Sequence, residues 1–397
     1  MAANASTPCP ICANIHANLV LATRQSIPTL QNVTLNNLEE AVNFSTGTLN
    51  MVRCGNCSFV WNAAFDQSKI SYDDGYNNDV TYSGYYVEHL ENMADRIINS
   101  VPESDPIHYV EVGCGEADFL RLVVERAKGR CVSAIGFDPS FTGDKNLPEG
   151  VVIHKTFFGQ DQIKLVPEAT NIICSRHTIE HVPDVHSFVS ALAIPMTTKE
   201  RTLFIETPDA NWILENTAFQ DFFYEHCSIY TPASMVRVLA EYGLDAKTTP
   251  VYDGQYMWTE AKLSQSKDLS DTVIEQDTAL AYIEKSTAML DEWNTFIQQR
   301  SQQRPVAIWG AASKGVTFAL LQPKADNNNA GIACAIDLNK AKQNCFLPIS
   351  GIPVVSPKTA HEMGVGTVII MNPNYKAEIE TMAASMGWSP DFVTLND

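Results

Sequence analysis

The sequence predicts an α/β protein in which a small N-terminal cysteine-bearing unit precedes two Rossmann-like halves. Three observations carry that prediction. Two Cys-x-x-Cys pairs stand near the N-terminus; short apolar runs alternate with helical stretches from about Ile107; and the same alternation resumes at Pro305 after a long amphipathic segment. Strands alternating with helices imply a parallel sheet covered on both faces.

Taken in order, residues 1–70 hold Cys9-Pro-Ile-Cys12 and Cys54-Gly-Asn-Cys57, with 41 residues between the pairs. Four thiolates at this spacing predict a structural zinc site on Cys9, Cys12, Cys54 and Cys57, since a small unit without its own core gains folding energy from the metal. Four protein ligands leave no open position for water, so removing the metal is expected to destabilise this segment without disabling a reaction. A redox dithiol needs only one pair, and His16 reads as a surface residue. The six single cysteines, Cys114, Cys131, Cys174, Cys227, Cys334 and Cys345, read as packing.

Residues 71–262 form the first α/β half with a helical lead-in. Strands are expected at His108–Gly113, Val132–Asp138, Val151–Phe157, Asn171–Ser175 and Thr202–Thr207, with helices at Asp118–Lys128 and Asp184–Leu192. Thr231-Pro232 opens a further helix, with Thr at the N-cap and Pro in the first turn, and Gly243 ends it. Over 263–300 the apolar residues Leu269, Val273, Leu280, Ile283, Leu290, Trp293 and Ile297 recur at helical spacing, as in an amphipathic connector. Residues 301–397 form the second half, with strands near Pro305–Gly310, Ile332–Asp337 and Thr367–Met371 and a helix near Lys376–Met386.

Composition limits the partners. With 27 Lys+Arg against 46 Asp+Glu, the formal charge is −19. Such a surface repels phosphate backbones and anionic lipid, which argues against nucleic acid and membrane and favours a small-molecule substrate. No apolar run reaches the roughly 20 residues that span a bilayer, and the first residues lack the pattern of a signal peptide, so a cytoplasmic location is expected. Nothing in the sequence fixes the oligomeric state.

The segment Tyr109-Val-Glu111-Val-Gly113-Cys-Gly115-Glu-Ala117-Asp118 has glycines that let backbone approach a ligand at a helix N-terminus. A dinucleotide loop of the form GxGxxG has its third glycine where this chain has Asp118, which weighs against NAD. Glu111 suits the cationic methionine end of S-adenosylmethionine. Asp138, closing the next strand, suits its ribose hydroxyls. Two histidine-bearing stretches follow the fourth and fifth strands, Ser175-Arg-His177-Thr-Ile-Glu180-His181 and Phe222-Phe223-Tyr224-Glu225-His226. An imidazole there could remove a proton from a carbon beside a carbonyl, and a flanking carboxylate or phenol could orient it.

The order of these motifs, CxxC…CxxC, Glu-Val-Gly-Cys-Gly, Gly-Phe-Asp-Pro-Ser, His-Val-Pro, Tyr-Glu-His and Trp309-Gly-Ala-Ala-Ser-Lys314-Gly with Lys342-Gln-Asn, resembles the three-domain sugar C-methyltransferases along nearly the whole chain. Those enzymes methylate C3 of nucleotide-linked 4-keto-6-deoxy sugars. The resemblance implies a central class I methyltransferase domain binding S-adenosylmethionine and a C-terminal domain that helps hold the substrate. It implies a base at His226 with Glu225 beside it, and His181 near the transferred methyl. It places a catalytic tyrosine at Tyr76, with Tyr72 and Tyr82 competing for register and Tyr82 assigned to the substrate. Beside this, Tyr224 joins the catalytic group as a phenol flanking His226, although extended backbone would point it elsewhere. His177 is read at the cofactor, and Lys314 is read at the substrate as an ammonium that could face a diphosphate. The chain departs from the family at Phe223, where a tyrosine is usual, and at Ala117, where many relatives have glycine. An O- or N-methyltransferase, and a non-catalytic zinc and nucleotide scaffold, remain the competing readings.

Overall fold

The computed structural model describes residues 4–70, 83–143, 147–198, 200–264, 276–322 and 331–395. Tyr72, Tyr76 and Tyr82 lie outside the described residues, as do Leu269 and Val273.

The first sheet is antiparallel. Strands β1 (Asn4–Ala5), β2 (Asn18–Pro28), β3 (Thr46–Arg53) and β4 (Val60–Asn62) pair in order, with the short helix α1 (Leu38–Val42) between β2 and β3. Asn37 caps α1 by accepting the Glu39 N–H at 2.7 Å, which satisfies an otherwise orphan donor.

The second sheet follows helix α2 (Gly84–Asn99). Its strands β5 (Ile107–Val112), β6 (Cys131–Phe137), β7 (Val151–His154), β8 (Ile172–Arg176) and β9 (Thr202–Pro208) alternate with α3 (Asp118–Arg126), α4 (Val185–Ala193) and α5 (Ala210–Glu215). The five expected strands form here, each within a few residues of its expected bounds, and they are parallel as expected. A fifth strand of the first sheet comes next, β10 (Ser228–Ile229), which pairs antiparallel with β4. Helix α6 (Pro232–Glu241) opens with a capping box between Thr231 and Ser234, and Gly243 follows at φ 76°. The sequence did not signal the last two strands, β11 (Leu244–Val251) and β12 (Tyr256–Leu263), which run antiparallel on β9. The complete order is β11-β12-β9-β8-β5-β6-β7. The strand order therefore reverses at β5, and the crevice at such a switch point is where α/β sheets bind ligands.

The third sheet is all parallel. After α7 (Gln276–Ser301), the elements β13 (Val306–Trp309), α8 (Ser313–Leu321), β14 (Ile332–Ile336), β15 (Val354–Val355), α9 (Pro357–Glu362), β16 (Thr367–Ile370), α10 (Lys376–Ser385) and β17 (Asp391–Thr394) give the order β15-β14-β13-β16-β17. Its switch point falls at β13.

The units interlock more than their sequence bounds suggest. Leu49, Phe222, Tyr282 and Ile308, one from each expected segment, share a single apolar core. Within α7 the inward positions include Ala279 and Tyr282, while Leu280, expected on the packed stripe, is 43% exposed. The expected stripe is thus turned by one residue at its start.

Candidate active site

At the end of β5 the chain turns through Gly113 (φ 75°) and Gly115 (φ 51°) into α3. The two glycines answer different needs. A Cβ on Gly113 would strike the Thr178 side chain, so packing demands it; a Cβ on Gly115 would meet nothing within 4 Å, so that loop faces open space. Asp138, one residue past β6, accepts the Gly115 N–H at 2.8 Å on one oxygen and the Ser140 N–H at 2.8 Å on the other. The Ser140 hydroxyl also donates to that second oxygen at 2.6 Å, so the carboxylate is aimed. The oxygen facing Gly115 keeps a lone pair for a ligand hydroxyl, and a second hydroxyl would take the place of the Ser140 one. Glu111 is buried and takes the Tyr109 hydroxyl at 3.0 Å. Burial pushes its carboxyl up to about 8, against the pull of Arg176. These residues fit the adenosylmethionine they were expected to hold: an open glycine loop, an aimed acid and a buried acid for a cation.

Behind the loop lies a buried ionic network that sequence reasoning missed. Glu206 receives Arg176 at 2.6 Å and His89 at 2.5 Å, and Arg176 lies 4.0 Å over the Phe119 ring. Burial opposes ionisation of Glu206, but Arg176 and His89 hold it well below the usual carboxylate range. No motif signals this network, because its members come from α2, β8 and β9.

A cavity of about 420 Å³ opens between the C-terminal ends of the second and third sheets. His177, His181, His226 and Phe223 line one side of it, and Lys314, Asp337 and Lys342 another. The two histidine stretches do meet: the rings of His181 and His226 lie 4.8 Å apart, edge to face, and donor atoms of Glu180, His181 and His226 fall within 4.8 Å of one another. His226 Nδ1 is buried without a hydrogen-bond partner among the described residues. Desolvation and His181 pull its imidazole down to about 3, so it is a neutral acceptor at physiological pH. Burial also works against Glu180, yet His177, His181 and His226 hold its carboxylate at about 2. His177 sits at φ 47° with Nδ1 3.4 Å from Glu180, and its neighbour Thr178 packs on Gly113, linking cavity to cofactor loop.

Two expected catalytic residues stand elsewhere. Tyr224 is fully buried off the cavity, its hydroxyl accepting the Asp66 N–H at 2.9 Å and its ring lying over Gly47. A bend at Tyr224 and Glu225 turns both side chains off the cavity that Phe223 and His226 line, and makes Tyr224 a tie to the first sheet. Glu225 is also absent from the cavity wall; it accepts the Gln31 N–H at 3.0 Å and lies 3.9 Å from His181 Nδ1, so it backs His181 rather than His226. Sequence reasoning also passed over Asp221, Gln255 and Tyr256, all on the wall. Lys314 Nζ is held by Asp221 at 3.1 Å and Gln255 at 2.8 Å.

His226 is placed by the first sheet. The residue after it, Cys227, accepts the Asn62 N–H at 2.9 Å, and β10 continues that pairing along β4. Five residues before Asn62 is Cys57. Cys9 and Cys57 sulfurs lie 3.6 Å apart and those of Cys12 and Cys54 3.5 Å, too far for disulfides, whereas zinc with bonds of about 2.3 Å sets tetrahedral thiolates about 3.8 Å apart. The Asn56 and Cys57 N–H groups point at Cys54 Sγ from 3.3 and 3.4 Å, as expected around a thiolate. The donor set fits a four-thiolate metal site.

A fold and site of this kind define an S-adenosylmethionine-dependent methyltransferase, and comparison agrees: residues 86–248 match the family model for a methyltransferase domain. Residues 271–395 match the family model for a C-methyltransferase C-terminal domain. It is 24% identical over 327 residues to the C-methyltransferase NovU of Streptomyces niveus, covering 75% of this chain and 74% of that protein. Among solved structures, an S-adenosylmethionine-dependent methyltransferase of Listeria monocytogenes matches with TM-score 0.35 and 10% identity, covering 45% of this chain and 100% of its own. Human N-acetylserotonin methyltransferase in complex with SAM matches with TM-score 0.36 and 11% identity, over 45% of this chain and 55% of its own. No described helix is long and apolar enough to cross a membrane.

Proposed function

We propose that this protein transfers the methyl of S-adenosylmethionine to a carbon beside a carbonyl, at C3 of a nucleotide-linked 4-keto-deoxysugar, with His226 as the base. The observation that carries the reading is His226, whose buried Nδ1 has no partner among the described residues, on the wall of a cavity that has lysines on another side and that His177 and its neighbour Thr178 connect to the Gly113 turn. A volume of about 420 Å³ lies in the range of small-molecule sites.

When bound, the cofactor supplies an electrophilic methyl on a sulfonium. Glu111 and Asp138 would hold its ammonium end and ribose. His226 would take the C3 proton, and Glu180, already anionic, would stabilise the imidazolium that forms. His181, backed by Glu225, would border the transferred methyl. Lys314 and Lys342 would face the diphosphate, because an ammonium held by neutral or acidic neighbours can turn to a phosphate oxygen. Positioning supplies most of the remaining rate enhancement.

We infer further that zinc on Cys9, Cys12, Cys54 and Cys57 supports His226 through β4 and β10. Chelation is therefore expected to lower turnover as well as loosen the N-terminal segment, checked by metal content, thermal melting and kcat on one sample. The reading as a whole is tested by incubating the protein with S-adenosylmethionine and thymidine-diphosphate 4-keto-6-deoxyglucose and locating the new methyl by NMR. A methyl on carbon supports it, and a methyl on oxygen or nitrogen overturns it.

A further inference from the structure

Phe223 packs on the ring of His226 with centroids 4.7 Å apart, and both line the cavity. A phenyl ring there donates no hydrogen bond. Proton removal beside a carbonyl nevertheless moves negative charge onto the carbonyl oxygen, and that charge needs a positioned donor. Lys314, held by Asp221 and Gln255, and Lys342, held by Asn32 at 2.9 Å, are the groups assigned above to the diphosphate.

Tyr256 meets the requirement. It opens β12, in register with Pro208 at the end of β9, and lines the same cavity. Its ring stacks flat on Tyr252, with centroids 4.8 Å apart and planes 4° from parallel, and meets His177 edge-on at 4.6 Å. Both contacts fix the ring. The hydroxyl makes no hydrogen bond among the described residues, whereas Tyr252 donates to Tyr375, Tyr85 to Asp253 and Tyr109 to Glu111. Burial, with Tyr86, Tyr375, Glu206 and Asp221 nearby, pushes this phenol well above its usual range, so it stays protonated and donates. Contacts run from Tyr256 to His177, from His177 to Glu180 at 3.4 Å, and from Glu180 into the cluster with His226.

We propose that Tyr256 is a catalytic residue that hydrogen-bonds the substrate carbonyl oxygen as charge develops on it, the role for which Phe223 offers no donor. The inference rests on the carbon-methylation reading. His226 takes the proton; the C–H electron pair becomes a C=C bond while the carbonyl π pair moves to oxygen, where the Tyr256 O–H meets it. The C=O bond then re-forms as the carbon pair attacks the methyl and the S–CH₃ pair stays on sulfur. The proton on His226 leaves to solvent, so one proton is released per methyl transferred.

The test uses the full metal-containing chain, thymidine-diphosphate 4-keto-6-deoxyglucose as substrate, and calorimetry with S-adenosylhomocysteine as the check on folding. Tyr256→Phe removes one oxygen and keeps both ring contacts. It is expected to lower kcat by about 100- to 1000-fold, the usual loss of one oxyanion donor, with S-adenosylhomocysteine affinity within twofold of the parent. Adding Phe223→Tyr to Tyr256→Phe is expected to recover at least tenfold of the lost kcat. A kcat within threefold of the parent overturns the inference, and so does a fall in kcat matched by a fall in cofactor affinity. Failure of the parent chain to make a carbon-methylated product overturns the carbon reading and this inference together.

Discussion

The turn after β5 and the turn after β13 share one backbone design but differ in charge. Gly113 N–H bonds Phe137 O at 2.8 Å, and Gly310 N–H bonds Ile336 O at 2.8 Å. Gly115 N–H bonds Asp138 at 2.8 Å, and Ala311 N–H bonds Asp337 at 3.0 Å; the second oxygen of each acid takes an N–H two residues on, from Ser140 and Asn339, at 2.8 Å. Around the first turn stand Glu111, Glu116 and Asp118, and around the second Lys314 and Lys342. The backbone provides an aimed acid and exposed amides in both, and the side chains set the sign of the ligand. In our account the acidic turn receives a sulfonium and the basic one a diphosphate.

The sharpest way to break this comparison is Asp138→Ala. Loss of the charged hydroxyl acceptor should weaken S-adenosylhomocysteine binding about 100-fold by calorimetry and leave thymidine diphosphate affinity within twofold. Lys314→Gln, paired with Asp221→Asn so that no buried acid loses its cation, should do the reverse more mildly, weakening thymidine diphosphate about tenfold.

Acidity offers a subtler contrast. Glu111 must ionise to meet a cation, and its carboxyl sits at about 8, so cofactor affinity should strengthen as pH rises through about 8 and flatten in Glu111→Gln. In the free protein a carboxyl raised from its ordinary 4.5 stabilises the fold below that value, and the contribution is lost as pH rises through about 8. The smallest expected effect is at Ala117, which adopts φ 61° at the N-cap of α3. A left-handed alanine costs about 1 kcal/mol, so Ala117→Gly should raise stability by up to about 1 kcal/mol in chemical denaturation.

Much of this was legible because it is local. Glu111, Gly113, Gly115 and Asp138 follow from strand–loop–helix spacing, and the four cysteines from pair spacing. What escaped reading is assembled across distance. Adjacency to His226 groups Tyr224 with the catalytic residues, extended backbone would turn it away, and a bend at Tyr224 and Glu225 sends its hydroxyl to Asp66. Adjacency joins Glu225 to His226, while folding sets it behind His181. Tyr256, Asp221 and Gln255 belong to no motif and become neighbours only when β12 pairs with β9 and the third sheet closes over the second. Likewise, nothing in the spacing of β10 announces that a two-residue strand ties His226 to the cysteine-bearing sheet.

The most direct test of charge-sorted cradles is a pair of calorimetric titrations on one sample, S-adenosylhomocysteine into protein saturated with thymidine diphosphate, and the reverse. The account predicts two separate sites, each binding one equivalent with an affinity that the other ligand does not weaken. Competition between the two ligands for a single site would contradict it.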